Sequence, residues 1–195
     1  MAGPNITQLR KIARKRSAIL RSSEKGLLAR ANSMESKLNA YVLGTFFPSL
    51  DISKGKVRNT TFNLKKINKA TGLKKFIKNV VNIAMFGYYD KQFNSIEGAT
   101  TNYYSPFEPT AAAQKRILDR GELIVDGFVD SIFDNNDIVR GLQQTIKNGI
   151  TTEQSTTELK QMLTEQVKGK QEKLGIVSSY HSKNGRNQFQ AYSRS

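Results

Sequence analysis

No cysteine occurs in the 195-residue sequence. That absence excludes a disulfide framework, thiolate catalysis and four-cysteine zinc sites. The single histidine, His181, removes most zinc and copper sites as well. Apolar residues are scarce: they make up 37% of the chain, and the mean hydropathy is −0.51. Both values lie on the polar side of ordinary globular domains, which favours an elongated, surface-rich molecule over a compact enzyme. No stretch approaches the roughly 18 to 20 apolar residues needed to span a bilayer. The opening residues, "MAGPNITQLRKIARKR", hold no apolar run suited to a signal peptide. The expectation is an intracellular chain with no membrane partner, in which the sequons at Asn5 and Asn59 are accidental.

What the sequence has in excess is positive charge. The formal net charge is +15, with 31 Lys and Arg against 16 Asp and Glu. Residues 1–91 carry a net +15, residues 92–165 a net −5 and residues 166–195 a net +5. An excess placed entirely in the first half suggests a surface that faces a polyanion or an acidic protein, the alternative being a solvated basic face.

The hydrophobic pattern predicts a mainly α fold. Asn5 is placed to cap a helix, with Gln8 three residues on in the capping-box position. Ile6, Ala13, Leu20, Leu27, Met34 and Tyr41 recur every seven residues, and Ala31, Leu38 and Thr45 fill the four-residue offset later on. Ser22, Ser23 and Gly26 predict a break into two helices. The first of these carries Arg10, Lys11, Arg14, Lys15, Arg16 and Arg21 as candidate contacts to nucleic acid or an acidic partner. With little apolar surface of its own, it would need a partner. The run "KGKVRNTTFNLKK" is β-branched and partly alternating, so one short strand or hairpin is expected near 56–64.

A core helix is predicted from Thr71, with Leu73, Phe76, Ile77, Val80, Val81, Ala84, Met85 and Tyr88 on one face. The aromatics of its end, "MFGYYDKQF", read as packing. "SIEGATTNYYSPFEP" predicts a loop at 95–109. Thr110 then caps a helix along Ile117, Leu118, Ile124, Val125, Phe128, Val129, Ile132 and Phe133, and a further helix carries Ile138, Val139, Leu142 and Ile146 to a stop at Gly149. "NGITTEQSTTELKQMLTEQVKG" reads as a glycine-bounded helix capped at Thr151 or Thr152, or at Ser155 with Glu158 in the box. Its Leu159, Met162, Leu163 and Val167, together with Leu27, Met34, Leu38 and Tyr41, are the candidate subunit-packing residues. The segment from Gly175 onward reads as a basic tail ordered by a partner. Three regions follow: a basic N-terminal arm (1–47), a helical core (48–149), and a capped helix with its tail (150–195).

No catalytic constellation stands out. Asp119, Glu122, Asp126, Asp130, Asp134 and Asp137 recur at helical spacing, but nuclease metal sites gather their acids from several elements, and a solvated or internally paired face is the simpler reading. His181 has hydroxyls nearby but no signalled third group or oxyanion hole, so it reads as a surface histidine. The glycines fit no phosphate loop. Neither a catalytic residue, a cofactor nor a metal is expected. Any nucleic acid would be held through its backbone, since no recognition helix, zinc finger or RNA-binding sheet motif is present.

One resemblance bears on function. The segments "QKRILDRGELIVDGFVDSIF", "LQQTIKNGITTEQSTTELKQMLTEQVKG" and "NQFQAYSR", over residues 111–195, are similar to the minor head, or head-morphogenesis, proteins of tailed bacteriophages (the Mu F-like family). They share that family's helix ending in a turn-and-helix of the form "I..GIS/T..E....L...L", followed by an "N-x-F" helix, here Asn187 to Tyr192. The resemblance implies an α-rich virion protein near the portal or inside the capsid, with no catalytic residues. It would meet other portal or capsid subunits as an oligomer or multi-subunit assembly, and DNA backbone could lie against its basic half. Its location would be the virion, and the host cytoplasm during assembly.

Overall fold

The computed structural model describes residues 5–107, 110–134, 136–171 and 173–194. Pro4, Glu108 and Pro109 lie outside them, as do the side chains of Ile117, Val129, Phe133, Asp134 and Tyr192.

Helix α1 (Ile6–Tyr41) runs unbroken through Ser22, Ser23 and Gly26, where the sequence predicts an interruption. Its small residues mark a close crossing. Ser23 is fully buried, and its hydroxyl donates to Gln92 Oε1 at 2.7 Å. A Cβ at Gly26 would run into the Tyr88 hydroxyl, which donates to the Ser23 carbonyl at 2.6 Å. A helix tolerates an interior glycine at a cost of about 1 kcal/mol when the space it leaves is filled by a neighbour.

A π-helical turn (Val42–Phe46) and a 3-10 turn holding Pro48 (Phe47–Ser49) end this element. Strands β1 (Ile52–Ser53) and β2 (Lys56–Val57) form the expected hairpin, but earlier and shorter than predicted. Lys54 and Gly55 both have positive φ, the conformation that tight two-residue hairpin turns demand. The β-branched run after it is helix α2 (Thr61–Lys69), because Thr60 accepts the Asn63 N–H as an N-cap. Asn63 is fully buried and fully used: its side chain donates to the carbonyls of Asp51 and Arg58 and accepts the Asp51 N–H. That staple fixes the loop before the helix.

Helix α3 (Thr71–Phe76), a π-helical stretch (Ile77–Asn82) and helix α4 (Ile83–Tyr104) follow in succession. Leu73, Ile77, Val81 and Met85 are buried as the apolar face predicts, and Tyr41 stacks on Phe76 at 4.2 Å. The loop predicted at 95–109 is helical as far as Tyr104, followed by a 3-10 turn (Ser105–Phe107). The stripe of Phe93, Ile96, Ala99 and Thr100 is buried, and that burial outweighs the local turn signals; Pro106 comes only where the α-helix has ended.

Helices α5 (Ala111–Asp134) and α6 (Asp137–Thr151) follow, then α7 (Thr156–Lys168). The cap of α7 is Ser155, in a complete capping box with Glu158, and not Thr151, the last residue of α6, or Thr152, its C-cap. The Ser155 hydrogen bonds hold the Glu158 carboxyl below its usual value. Gly149 lies inside α6, where a Cβ would press on Leu159 at 2.6 Å, so this glycine serves the approach of α6 to α7 and does not stop the helix. A second hairpin, β3 (Gly169–Lys170) with β4 (Lys173–Leu174), leads into α8 (Ile176–Arg194). The tail expected to wait for a partner is thus a helix of the chain's own core, with Val177, Ser178, His181 and Phe189 buried.

The contacts group the chain into two compact units that do not follow the boundaries at 47 and 149. One comprises Met1–Ala29, Met85–Phe133 and His181–Ser195; the other, Arg30–Ala84 and Asp134–Tyr180. The first centres on Tyr89, whose ring meets Phe93, Phe128, His181 and Phe189. In the second, buried Glu35 accepts the Ser178 N–H at 2.7 Å and so caps the start of α8. Gly175 makes that approach possible, since a Cβ there would collide with the Val167 carbonyl and the Glu35 carboxylate.

Candidate polyanion-contact site

The first five turns of α1 sort their residues by face. Leu9, Ile12, Ala13, Ile19 and Leu20 are half-buried, whereas Arg10, Lys11, Arg14, Lys15 and Arg21 are exposed. With 3.6 residues per turn, Arg10, Arg14 and Arg21 fall on one side and Lys11 and Lys15 lie beside them. Arg16 differs. It is half-buried, with its guanidinium over the Tyr103 ring at 5.5 Å, a cation–π contact. Its Nε is buried with no hydrogen-bond partner among the described residues. Among those residues none of the six cations forms an ion pair, while Glu24, one turn beyond, is engaged by Arg186 at 3.4 Å.

The sequence leaves open whether the acids of α5 neutralise this arm. Asp119, Glu122, Asp126 and Asp130 are all exposed, and no ion pair joins them to the arm among the described residues. Nor do three or more His, Asp or Glu side chains gather as metal ligands among those residues. Among the described residues, the cations from Arg10 to Arg21 are therefore not ion-paired with the acids of α5.

Between the start of α1 and the end of α4 lies a groove of about 410 Å³. Lys11, Lys15, Arg16 and Gln8 line one wall, and Asn102 and Ser105 the other, with no carboxylate among the described lining residues. Sequence reasoning found the three cations but missed Asn102, Tyr103 and Ser105, because it placed them in a loop. A groove of about 390 Å³ in the other unit differs in kind, mixing Asp137 and Glu165 with Lys173.

The candidate packing residues have mostly gone inward. Leu27, Met34, Leu38, Leu159, Leu163 and Val167 are at most 1% exposed inside the chain itself. Tyr41 is half-buried on Phe76, and Met162 alone of the eight remains exposed. The apolar side chains left outward are others, among them Leu123, Ile6, Phe62 and Phe107.

His181 is no surface histidine. It is 1% exposed, its Nδ1 lies 3.0 Å from the Tyr89 hydroxyl, and burial pushes its pKa down to about 4. It is neutral at physiological pH and belongs to the core. No helix among the described residues is long and apolar enough to cross a membrane. No family model matches the chain, and neither a curated protein nor a solved structure is significantly similar to it.

Proposed function

We propose that this chain is a structural protein of a tailed-phage virion, a minor head protein or portal-proximal adaptor, whose basic arm faces packaged DNA or acidic partner subunits. The class rests on the resemblance over residues 111–195. The observation that carries it furthest is the arm itself: six cations of α1, five of them exposed, without an ion pair among the described residues. Contacts to other subunits fall to outward apolar side chains such as Leu123 and Phe62, 74% and 59% exposed, and not to the buried stripe of Leu27 to Leu38. The test is mass spectrometry of gradient-purified particles after chemical crosslinking. The chain should be present in fixed proportion and crosslinked to portal or capsid protein; its absence from particles would sink the reading.

A second reading has one observation in its favour. Because the apolar stripes are buried within the chain, it has a core without neighbours, as a free, sequence-nonspecific architectural nucleic-acid-binding protein would need. A well-folded monomer with tight, salt-sensitive DNA binding, missing from particles, would favour that alternative.

A further inference from the structure

We propose that the groove between the start of α1 and the end of α4 seats a single-stranded nucleic acid, its phosphodiester backbone on the cations and a base against the adjoining aromatics. This rests on the reading that the basic arm meets a polyanion, and it names the polyanion and the place. Lys11, Lys15 and Arg16 supply three positive charges to one recess of about 410 Å³ that has no carboxylate among its described lining residues. Asn102 and Ser105 on the facing wall add the neutral polar groups that position sugar and phosphate oxygens.

The second observation is aromatic. Tyr103 carries Arg16 over its ring and packs edge-on with Tyr104 at 5.2 Å. Phe107 stands 6.4 Å from Tyr103 and is 52% exposed, an apolar ring left to water two residues after Ser105, which lines the groove. A cationic track beside an exposed ring is the arrangement that holds single strands, because every base has a stacking face. A duplex keeps its bases stacked inside and could offer that ring nothing without unpairing. An acidic peptide would use the cations but leave Phe107 idle.

Fluorescence anisotropy with a labelled oligo-dT of about twelve nucleotides, a duplex of equal length and poly-glutamate tests this on the full chain, within the usual site size for such grooves. Oligo-dT should bind more tightly than the duplex or poly-glutamate. Lys11→Gln with Lys15→Gln should weaken it at least tenfold in low salt and reduce the salt slope by about 1.4. Phe107→Ala should weaken oligo-dT about fivefold or more and leave duplex binding unchanged. Arg10→Gln with Arg14→Gln, outside the groove, should cost less than the lysine pair, and melting curves should show every variant folded. Equal binding of oligo-dT and duplex, tighter binding of poly-glutamate, or a lysine double variant that binds like wild type would overturn the proposal. Particle composition is measured separately, so the virion reading stands or falls independently.

Discussion

His181 sits where a charge is hardest to accommodate, buried against the ring of Tyr89. Its pKa in the fold, about 4 against an ordinary 6.5, means that the unfolded chain binds a proton more readily. The stability this neutral ring contributes is complete above pH 6.5, is lost as pH falls, and is gone near pH 4. The loss amounts to roughly 3 kcal/mol. Urea unfolding at pH 7 and pH 4.5 should show it, and His181→Gln should flatten that part of the profile. Glu35 has the opposite sign. Burial raises its carboxyl above the usual 4.5, against the hydrogen bonds from Ser178 and Val177, so its contribution is greatest below pH 4.5 and falls as pH rises through the higher folded value. Glu35→Ala leaves the Ser178 N–H without its acceptor and should cost about 2 to 4 kcal/mol. Glu35→Gln keeps an acceptor, and denaturant midpoints should place it between wild type and Ala. Neither residue announces its burial in the sequence, since the neighbours that bury it come from far along the chain.

Elements are easier to read than their junctions. The apolar face from Leu73 to Met85 is visible because its period is uninterrupted and its side chains are large. Helix α8 is not, because the face it buries is Val177, Ser178, His181, Gly185 and Phe189, and small or polar residues carry no hydrophobic period. The same holds for Ser23 and Gly26, which read as a break and act as a crossing. Here the interaction can be isolated. Gly26→Ala gains about 1 kcal/mol of helix propensity but displaces the Tyr88 hydroxyl from the Ser23 carbonyl, for a net loss of about 1 kcal/mol. In a Tyr88→Phe background the obstructing oxygen is gone, so the same substitution should become neutral or stabilising. Urea midpoints of the two singles and the double decide it; additive effects would mean that the crossing does not depend on that hydroxyl.

At the scale of the whole molecule, charge is the property most legible in the sequence, because composition needs no geometry. The candidate site was half legible: the cations of α1 follow from spacing, while Asn102, Tyr103 and Phe107 became visible only once α4 was seen to continue past Ser95. Since the arm's cations make no ion pairs among the described residues, charge reversal should separate binding from stability. Arg10→Glu, Arg14→Glu and Arg21→Glu together should weaken polyanion binding in a salt titration, through the field they impose on the neighbouring groove, while shifting the melting temperature by no more than a few degrees. A large drop in melting temperature would assign those arginines to the fold instead. The contact between Glu35 and Ser178 spans 143 positions. On the ribosome, at roughly 5 to 20 residues per second, the carboxylate waits on the order of ten seconds or more for the amide that will cap against it. The second unit therefore closes only after Ser178 has been made. Until then Glu35 stays hydrated and the turns of α1 around it remain open to chaperones, to proteases and to the other chains being made alongside.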